Sequence, residues 1–255
     1  MKIVVAGATG TLGRKIVDAI DTAGHIAVPI SRDSGVDLIT GAGLESVMTG
    51  AAAVVDASST SIARSKQAVA FFSTVTRNLL TAEKAAAVDH HVAISIIGAA
   101  AVNANYYAGK AAQEKILMTE GAGRCSLLRT TQFHEFVHQL IRAGKIGPVQ
   151  LVPRMLSQPI AASEVATELV SVATRAPRGL LPDLAGPRQE WWPDLVRSYL
   201  ATGPRRPMID IAIPGRWGRA MRDGTLLPAV GTRLGSQTFD QWLATQDVAS
   251  GMRDD

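Results

Sequence analysis

The chain begins with a short apolar run that leads directly into three spaced glycines, IVVAGATGTLG over residues 3–13. The apolar part, Ile3–Ala6, predicts a buried parallel strand, and the apolar spacing after the third glycine predicts a helix. Between them, Gly7, Gly10 and Gly13 permit a left-handed turn, a close approach to a phosphate and tight packing of helix on strand. This order indicates a dinucleotide-binding site at a helix N-terminus; the alternative is a glycine turn without a ligand.

The residues after the second predicted strand, His25–Ile30, bear on the choice of cofactor. A site selective for NAD usually has an acidic residue here, which binds the ribose 2′-hydroxyl. This chain has Ser31 and Arg32 instead. Because a guanidinium makes a planar, bidentate contact with a phosphate, the pair favours NADP over NAD. Asp33, one residue later, weakens that preference, and the alternative is that Arg32 is only a solvated loop residue.

Predicted strands and helices alternate with short connections over the first 150 residues. The alternation indicates an α/β fold with a Rossmann-type, doubly wound parallel sheet. It includes a short third strand at Val36–Ile39. From Pro148 onward prolines multiply, and all four tryptophans lie in the last third of the chain. We therefore expect an NAD(P)-binding Rossmann domain over residues 1–150 and a smaller, dependent substrate-binding lobe over residues 151–255.

Ligands bind at the carboxyl ends of the strands in such a sheet, so the predicted cofactor-binding residues follow those ends. Around the pyrophosphate we expect Gly7, Thr9, Gly10, Thr11, Leu12 and Gly13. Near the adenosine or its ribose we expect Ser31, Arg32, Ala57, Ser58 and Ser59, and bordering the nicotinamide we expect Thr130 and Phe133.

The composition argues against several other classes of protein. A single cysteine, Cys125, excludes an internal disulfide framework. The chain opens into a strand without a signal segment, and its apolar runs are too short to cross a membrane, so we expect a cytoplasmic location. The formal net charge of +4 comes from scattered basic residues, which argues against nucleic-acid binding. No spacing typical of metal ligands is evident.

A tyrosine and a lysine four residues apart, Tyr106 and Lys110, open a predicted helix after the strand that contains Ser95. The spacing places both on one face of the helix. A free phenol exchanges its proton poorly at neutral pH, and a nearby ammonium favours the phenolate. We therefore expect Tyr106 to exchange a proton with a substrate oxygen, Lys110 to assist it and bind the nicotinamide ribose, and Ser95 to orient that oxygen. The alternative is that Tyr106 and Lys110 only cap and solvate the helix.

Five segments together resemble a known family. They are GATGTLG (7–13), SIIG (95–98), YYAGKAAQE (106–114), LLRTTQF (127–133) and SEVA (163–166). With them the chain resembles the short-chain dehydrogenase/reductase superfamily, in particular its atypical NmrA-like branch, over roughly residues 2–173. The resemblance implies a Rossmann fold and a nicotinamide cofactor. Two features depart from the family pattern: Ser95 lies closer to Tyr106, and Asn78 does not align with the active-site asparagine.

The residues and the resemblance together predict an NADP-dependent oxidoreductase that acts on a small carbonyl or quinone substrate. Two alternatives stay open: a non-catalytic, NmrA-like NADP redox sensor, and an enzyme similar to sugar-nucleotide epimerases. The retained Tyr106 and Lys110 favour an enzyme. The expected partner is a small-molecule substrate; a homodimer is left open, and no membrane partner is expected.

Overall fold

A computed structural model describes residues 1–61, 64–201 and 206–246 of the 255-residue chain. The chain forms two compact units. The first unit comprises Met1–Thr130 and Ala162–Asp183; the second comprises Thr131–Ala161 and the described part of residues 184–255. This division differs from a single boundary at residue 150, because the helix at Ala162–Ala173 returns to pack against the first helix of the chain.

The helices and strands are numbered in chain order. The strands are β1 (Lys2–Ala6), β2 (Ile26–Ile30), β3 (Ala53–Asp56), β4 (His90–Ile96), β5 (Cys125–Thr130), β6 (Lys145–Ile146), β7 (Val149–Pro153), β8 (Leu156–Ser157), β9 (Gly179–Leu180), β10 (Leu184–Ala185), β11 (Glu190–Trp191), β12 (Met208–Ile211) and β13 (Arg233–Leu234). The helices are α1 (Thr11–Thr22), α2 (Leu44–Met48), α3 (Ser65–Ala85), α4 (Ala99–Val102), α5 (Asn105–Thr119), α6 (Phe136–Gly144), α7 (Ala162–Ala173), α8 (Trp192–Leu200), α9 (Gly215–Ala220) and α10 (Phe239–Ala244).

The sheet of the first unit is parallel throughout. Its strands lie in the order β2-β1-β3-β4-β5-β9, and each neighbouring pair is parallel. Helices connect successive strands, so the predicted Rossmann-type, doubly wound sheet is confirmed. Every residue of β3 is buried, and so is β1 from Ile3 to Ala6, as expected of interior strands covered on both faces.

One cluster shows how this core is filled. Val4 of β1 and Val54 of β3 share an apolar cluster with Val75 and Leu79 of α3 and with Met48 of α2. All five are fully buried. Burial of such a side chain stabilises a fold by about 1.5–3 kcal/mol. The helical spacing of Val75 and Leu79 therefore fixes one face of α3 against the sheet.

The expected third strand at Val36–Ile39 is wrong. This segment is a turn, because the Asp37 carboxylate accepts hydrogen bonds from the backbone N–H of Ile39 at 2.7 Å and of Thr40 at 3.4 Å. An aspartate that binds the backbone two residues later favours a turn over an extended strand. Asn78 of α3 donates to the carbonyl oxygens of residues 38 and 39, which occupies them as well. This edge of the sheet therefore ends at β2.

The second unit is built from short strands and four helices among its described residues. β11 pairs antiparallel with β8, β6 pairs antiparallel with β7, β7 pairs parallel with β12, and β10 pairs parallel with β13. Aromatic rings pack between the helices of this unit. The ring centroid of His138 in α6 lies 5.2 Å from that of Tyr199 in α8 and 5.9 Å from that of Trp242 in α10. Its role as a substrate lobe stays a prediction. Across the described residues, no helix is both long and apolar enough to cross a membrane.

Candidate functional site

The strand order creates a crevice at the carboxyl ends of β1 and β3. β2 and β3 lie on opposite sides of β1, so the connections that leave β1 and β3 lead in opposite directions. In open parallel sheets this switch in direction marks the place where ligands bind. The glycine loop follows β1, and the polar loop of residues 57–61 follows β3.

Two glycines allow the backbone to pack more closely here than any side chain would permit. A Cβ atom on Gly7 would lie 2.7 Å from the carbonyl oxygen of Ala57, and Gly7 has a left-handed φ of +76°. A Cβ atom on Gly13 would lie 2.1 Å from the carbonyl oxygen of Gly7. Both contacts are with backbone atoms, which cannot turn aside. The loop is therefore a glycine cradle in which the first and third glycines are required by the fold.

Gly10 has a different part in this loop. Its φ of −73° and ψ of 170° are open to any residue, and a Cβ atom there would meet only the carbonyl oxygen of Gly7, at 3.2 Å. Gly10 also precedes α1 without a side chain that caps it, and the first turn of α1 has no acidic residue. The N–H groups and positive dipole end of α1 are thus left for an anion at this position.

A groove of about 580 Å³ extends beside the glycine cradle toward the end of β2. It is lined by Ala8, Thr9, Arg14, Val17, Asp18, Pro29, Ser31, Asp33 and Ser34. The Arg14 guanidinium donates to the carbonyl oxygen of Thr9 at 2.7 Å, which holds its charge against the loop. Ser31 and Asp33, which follow β2, line the groove as well. Arg32 lies between these two, exposed, in a short 3-10 helix.

Arg14 is a candidate residue that the sequence analysis missed. The available signal was its position directly after the third glycine, on the exposed face of the first turn of α1. A cation there is well placed for a phosphate beside the loop.

Tyr106 meets the polar loop that follows β3. Its phenol oxygen lies 3.3 Å from the hydroxyl oxygen of Ser59. Its ring packs edge-on against Phe72 of α3, with centroids 5.4 Å apart. The structure therefore brings together two of the predicted site residues, Ser59 and Tyr106, at the carboxyl edge of the sheet.

Lys110 lies one turn further along α5, but its ammonium points into the protein. The residue is 3% exposed. The ammonium donates to the carbonyl oxygen of Ile94 at 3.0 Å and to the side-chain oxygen of Gln113 at 2.9 Å. It also lies 4.4 Å from the ring centroid of Phe72 and 6.0 Å from that of Tyr106. Lys110 is thus near the phenol ring on its buried side.

An amide links Lys110 to a buried carboxylate. Gln113 donates to Asp56 at 2.8 Å, and the other carboxylate oxygen of Asp56 accepts the N–H of Ser58 at 2.9 Å. Both Asp56 and Gln113 are fully buried. This chain of contacts connects α5 to the end of β3. Sequence analysis missed both residues; the signals were the spacing of three between Lys110 and Gln113 and an acidic residue that ends an apolar strand.

Ser95 is engaged elsewhere. Its hydroxyl donates to Glu114 at 2.6 Å, and Arg129 of β5 binds the same carboxylate through two nitrogens, at 3.0 and 2.5 Å. The hydrogen bond to Glu114 raises the pKa of Arg129. Burial raises the pKa of nearby Asp183, while the Arg129 charge opposes that shift. Ser95 therefore belongs to a buried ionic cluster.

The remaining predicted residues lie at several places. The Ser58 hydroxyl is buried and has no hydrogen-bond partner among the described residues, and Ala57 forms one wall of the glycine cradle. Thr130 ends β5 and is buried, and its carbonyl oxygen accepts the N–H of Ile97. Phe133, in the second unit, forms an isolated bridge with Ile160 and precedes α6, which begins at Phe136.

No protein-family model and no curated protein sequence matches the chain. Solved structures do. MoeE5 in complex with UDP-glucuronic acid and NAD is 18% identical, covers 99% of both chains and has a TM-score of 0.73. dTDP-4-dehydrorhamnose reductase from Bacillus anthracis in complex with NADP is 14% identical, covers 95% of both chains and has a TM-score of 0.71. A short-chain dehydrogenase/reductase superfamily protein from Agrobacterium tumefaciens with bound NAD is 18% identical, covers 99% of this chain and 97% of that one, and has a TM-score of 0.66.

These similarities define the class of fold. The chain has the Rossmann-like α/β fold of nucleotide-sugar reductases and of a short-chain dehydrogenase/reductase superfamily protein, so the resemblance predicted from the sequence is confirmed at the level of the fold.

Proposed function

We propose that the protein is an NADP-dependent oxidoreductase of the atypical short-chain dehydrogenase/reductase superfamily that reduces a small carbonyl or quinone substrate. One observation carries the proposal: the glycine cradle and Tyr106, with Lys110 beside its ring, lie at the same carboxyl edge of one parallel sheet. A cradle alone would suit a protein that only binds a nucleotide. A phenol in reach of the same edge gives it a proton donor.

The residues present fit a dinucleotide. The close backbone packing at Gly7 and Gly13 holds the loop against the end of β3, and α1 begins without a capping side chain, so its N–H groups can receive a pyrophosphate. The groove that continues from the cradle past Arg14 to Ser31 suits the adenosine half. The buried hydroxyl of Ser58, which has no hydrogen-bond partner within the described part of the chain, offers a further hydrogen bond at the crevice.

The chemistry then divides between cofactor and chain. The nicotinamide supplies a hydride to the substrate carbon when the cofactor is bound. The Tyr106 hydroxyl gives its proton to the substrate oxygen, so that a carbonyl becomes an alcohol. The Lys110 ammonium, 6.0 Å from the ring centroid, stabilises the phenolate that remains until solvent returns a proton. Because Lys110 is buried and bonded to Ile94 and Gln113, it acts on the phenol by its charge from the protein side.

The preference for NADP rests on the cations near the groove. Arg14 lines it and Arg32 lies in the adjacent 3-10 helix, and either guanidinium can bind a ribose 2′-phosphate. Asp18 and Asp33 line the same groove and oppose that preference. Calorimetry with NADPH and NADH tests this part of the proposal: tighter binding of NADPH supports it, and equal affinity for the two contradicts it.

Turnover by a Tyr106→Phe variant tests the proposed catalysis. We expect the variant to bind NADPH normally and to lose about a hundredfold or more in kcat, because it lacks the proton donor. Tyr107→Phe, which removes the neighbouring phenol, is the matched control and keeps its activity. Oxidation of NADPH is followed across a panel of quinones and aldehydes. Unchanged turnover in Tyr106→Phe would remove Tyr106 from the reaction.

A specific observation favours a second candidate, a non-catalytic NADP sensor. The buried, fully engaged Lys110 ammonium is as well suited to holding α5 against the sheet as to catalysis. A sensor binds NADPH but oxidises it with no substrate of the panel, and its Tyr106→Phe variant is indistinguishable from the natural protein. A third candidate, an epimerase-like enzyme, is favoured by the fold shared with a nucleoside-diphosphate-sugar epimerase from Staphylococcus aureus, and turnover of nucleotide sugars without net NADPH consumption would identify it.

A further inference from the structure

We propose that Ser59 positions the phenol of Tyr106, whereas Ser95, which was expected to orient the substrate oxygen, is bound elsewhere. The inference rests on the proposed function, because it names a positioning residue for the proton transfer at Tyr106. The hydroxyl oxygen of Ser59 lies 3.3 Å from the phenol oxygen. Ser59 is exposed and Tyr106 is half-buried, so a substrate oxygen has access to the same point.

The Ser95 hydroxyl is engaged in a hydrogen bond within the fold and does not face a substrate. Ser95 is 3% exposed, and its one proton is donated to the Glu114 carboxylate at 2.6 Å. Arg129 holds that carboxylate in place through two further hydrogen bonds. A hydroxyl that turned toward a substrate would lose a charge-assisted bond inside a buried cluster. Ser95 therefore serves the packing of α5 on β4 and β5.

Ser59 lies where a cofactor and substrate would meet. It follows Ala57 and Ser58, whose backbone atoms form the wall against Gly7 in the glycine cradle. The ring of Tyr106 is held separately, by its edge-on contact with Phe72. The ring is thus held by Phe72 and the oxygen by Ser59. The two contacts together leave the phenol few orientations.

The contact also has a chemical use. At 3.3 Å it is longer than the usual O–H···O distance of about 2.7–2.8 Å. Contacts of this kind are often long without a ligand and shorten in the complex with substrate. When Tyr106 gives its proton to a substrate oxygen, the Ser59 hydroxyl donates to the phenolate oxygen and keeps its own proton. Solvent then restores the phenol, so Ser59 stabilises the charge without being consumed.

Kinetics of Ser59→Ala give the first test. We expect kcat to fall about tenfold, which corresponds to loss of one hydrogen bond to a charged oxygen, with little change in KM or NADPH affinity. Ser61→Ala, from the same exposed loop, is the matched control and keeps full activity. In the double variant Ser59→Ala/Tyr106→Phe, the rate equals that of Tyr106→Phe alone, because Ser59 acts through the phenol. Full kcat in Ser59→Ala, or additive losses in the double variant, would overturn the proposal.

A second measurement needs no turnover. The chain has three tyrosines, so protein labelled with ζ-¹³C tyrosine gives few resonances, and Tyr106→Phe assigns the one from Tyr106. Ser59→Ala is expected to shift the Tyr106 resonance, whereas Ser61→Ala and Ser95→Ala leave it in place. An unmoved resonance in Ser59→Ala contradicts the contact even in an active enzyme. A shifted resonance in a protein that turns over no substrate supports the contact and counts against the proposed function instead.

Discussion

The two ends of the parallel sheet in the first unit hold their polar residues in opposite ways. At the amino end, His90 and His91 open β4 and are almost fully buried. His91 Nδ1 lies 2.7 Å from the Glu83 carboxylate, and His90 Nε2 lies 2.8 Å from the Ser126 hydroxyl. These contacts join α3, β4 and β5 to one another. The polar residues at this end therefore bind other parts of the fold.

At the carboxyl end, several polar groups lie within reach of solvent. Thr9 and Ser59 are exposed, Tyr106 is half-buried, and α1 begins without a capping side chain. The difference teaches that the polar residues described at the amino end contribute stability, whereas the carboxyl end, beside buried residues such as Asp56 and Ser95, also keeps exposed polar groups that are available to a ligand. Substitutions at the two ends should therefore change different measurements.

The largest effect is expected for Gly10→Val, at the carboxyl end. A valine side chain would occupy the place of the phosphate, so we expect NADPH affinity to fall by about a hundredfold or more. The fold should be retained, because the backbone angles of Gly10 suit any residue. Isothermal titration calorimetry and thermal unfolding measure the two properties, with Gly10→Ala as a graded control. Undiminished affinity in Gly10→Val would show that no phosphate lies at this loop.

The variant Gly13→Ala should be an exception to this comparison of the two ends: it lies at the carboxyl end, but it should lower stability because the fold requires a glycine there. Its new methyl group would lie 2.1 Å from the carbonyl oxygen of Gly7, so the helix must move away from the loop. We expect the free energy of unfolding to fall by about 2 kcal/mol, despite the better helix propensity of alanine. Urea denaturation measures it, and Gly10→Ala should cost less than about 0.5 kcal/mol. Equal stability of the two variants would be evidence against the close packing of α1 on the loop.

The smallest effect concerns the pH dependence of stability at the amino end. Burial lowers the pKa of His91, but the Glu83 charge and hydrogen bond, with the Asp56 charge, outweigh it and raise the pKa above its ordinary value. The folded protein thus binds this proton more tightly than the unfolded chain. The protonated His91 therefore adds its full contribution to the free energy of unfolding at pH values below about 6.5, the pKa of histidine in the unfolded chain. That contribution is lost as the pH rises through the pKa of His91 in the folded protein.

The variant Glu83→Gln should no longer lose stability as the pH rises through this range. We expect a loss of about 1 kcal/mol at pH 6, because the bond to a charged partner becomes a neutral one, and a smaller loss at higher pH. NADPH affinity should not change, since Glu83 lies at the amino end. Urea denaturation from pH 6 to about 8.5 checks the slope in both proteins. His90, whose pKa is lowered mainly by burial, adds a slope of opposite sign up to about pH 7 in wild type and variant alike, so the difference between the two profiles reports the His91–Glu83 pair. A parallel pH profile in wild type and variant would mean that the His91–Glu83 pair is not charged.

The fold and the glycine loop could be predicted because their causes are local in the sequence. Gly7, Gly10 and Gly13 stand between an apolar strand and an amphipathic helix, and this spacing in the sequence reveals the left-handed turn at Gly7 and the close packing at Gly13. The error at Val36–Ile39 is also local. β-branched and apolar residues predicted a strand there, but the Asp37 side chain competes for the backbone N–H groups and forms a turn.

The contacts of the side chains could not be predicted in the same way. Ser95 is bound to Glu114, 19 positions away, and Tyr106 to Ser59, 47 positions away. A sequence shows that hydroxyls follow the ends of strands, but the packing of α5 decides which of them faces the phenol. For the same reason the burial of Lys110 and its link through Gln113 to Asp56 appeared only in the structure.

The interleaving of the two units has a consequence for how the chain is made. Synthesis proceeds from the N-terminus, and the first unit begins at Met1 but includes α7 and β9, which end at Ala173 and Leu180. Residues 131–161, which belong to the second unit, leave the ribosome before the helix that packs against α1. The unit that starts first is thus completed only after part of the other has emerged. After α1 has been synthesised, some 140 further residues, counted from Thr22 to Ala162, must be added before α7, the helix that packs against it, begins to be made.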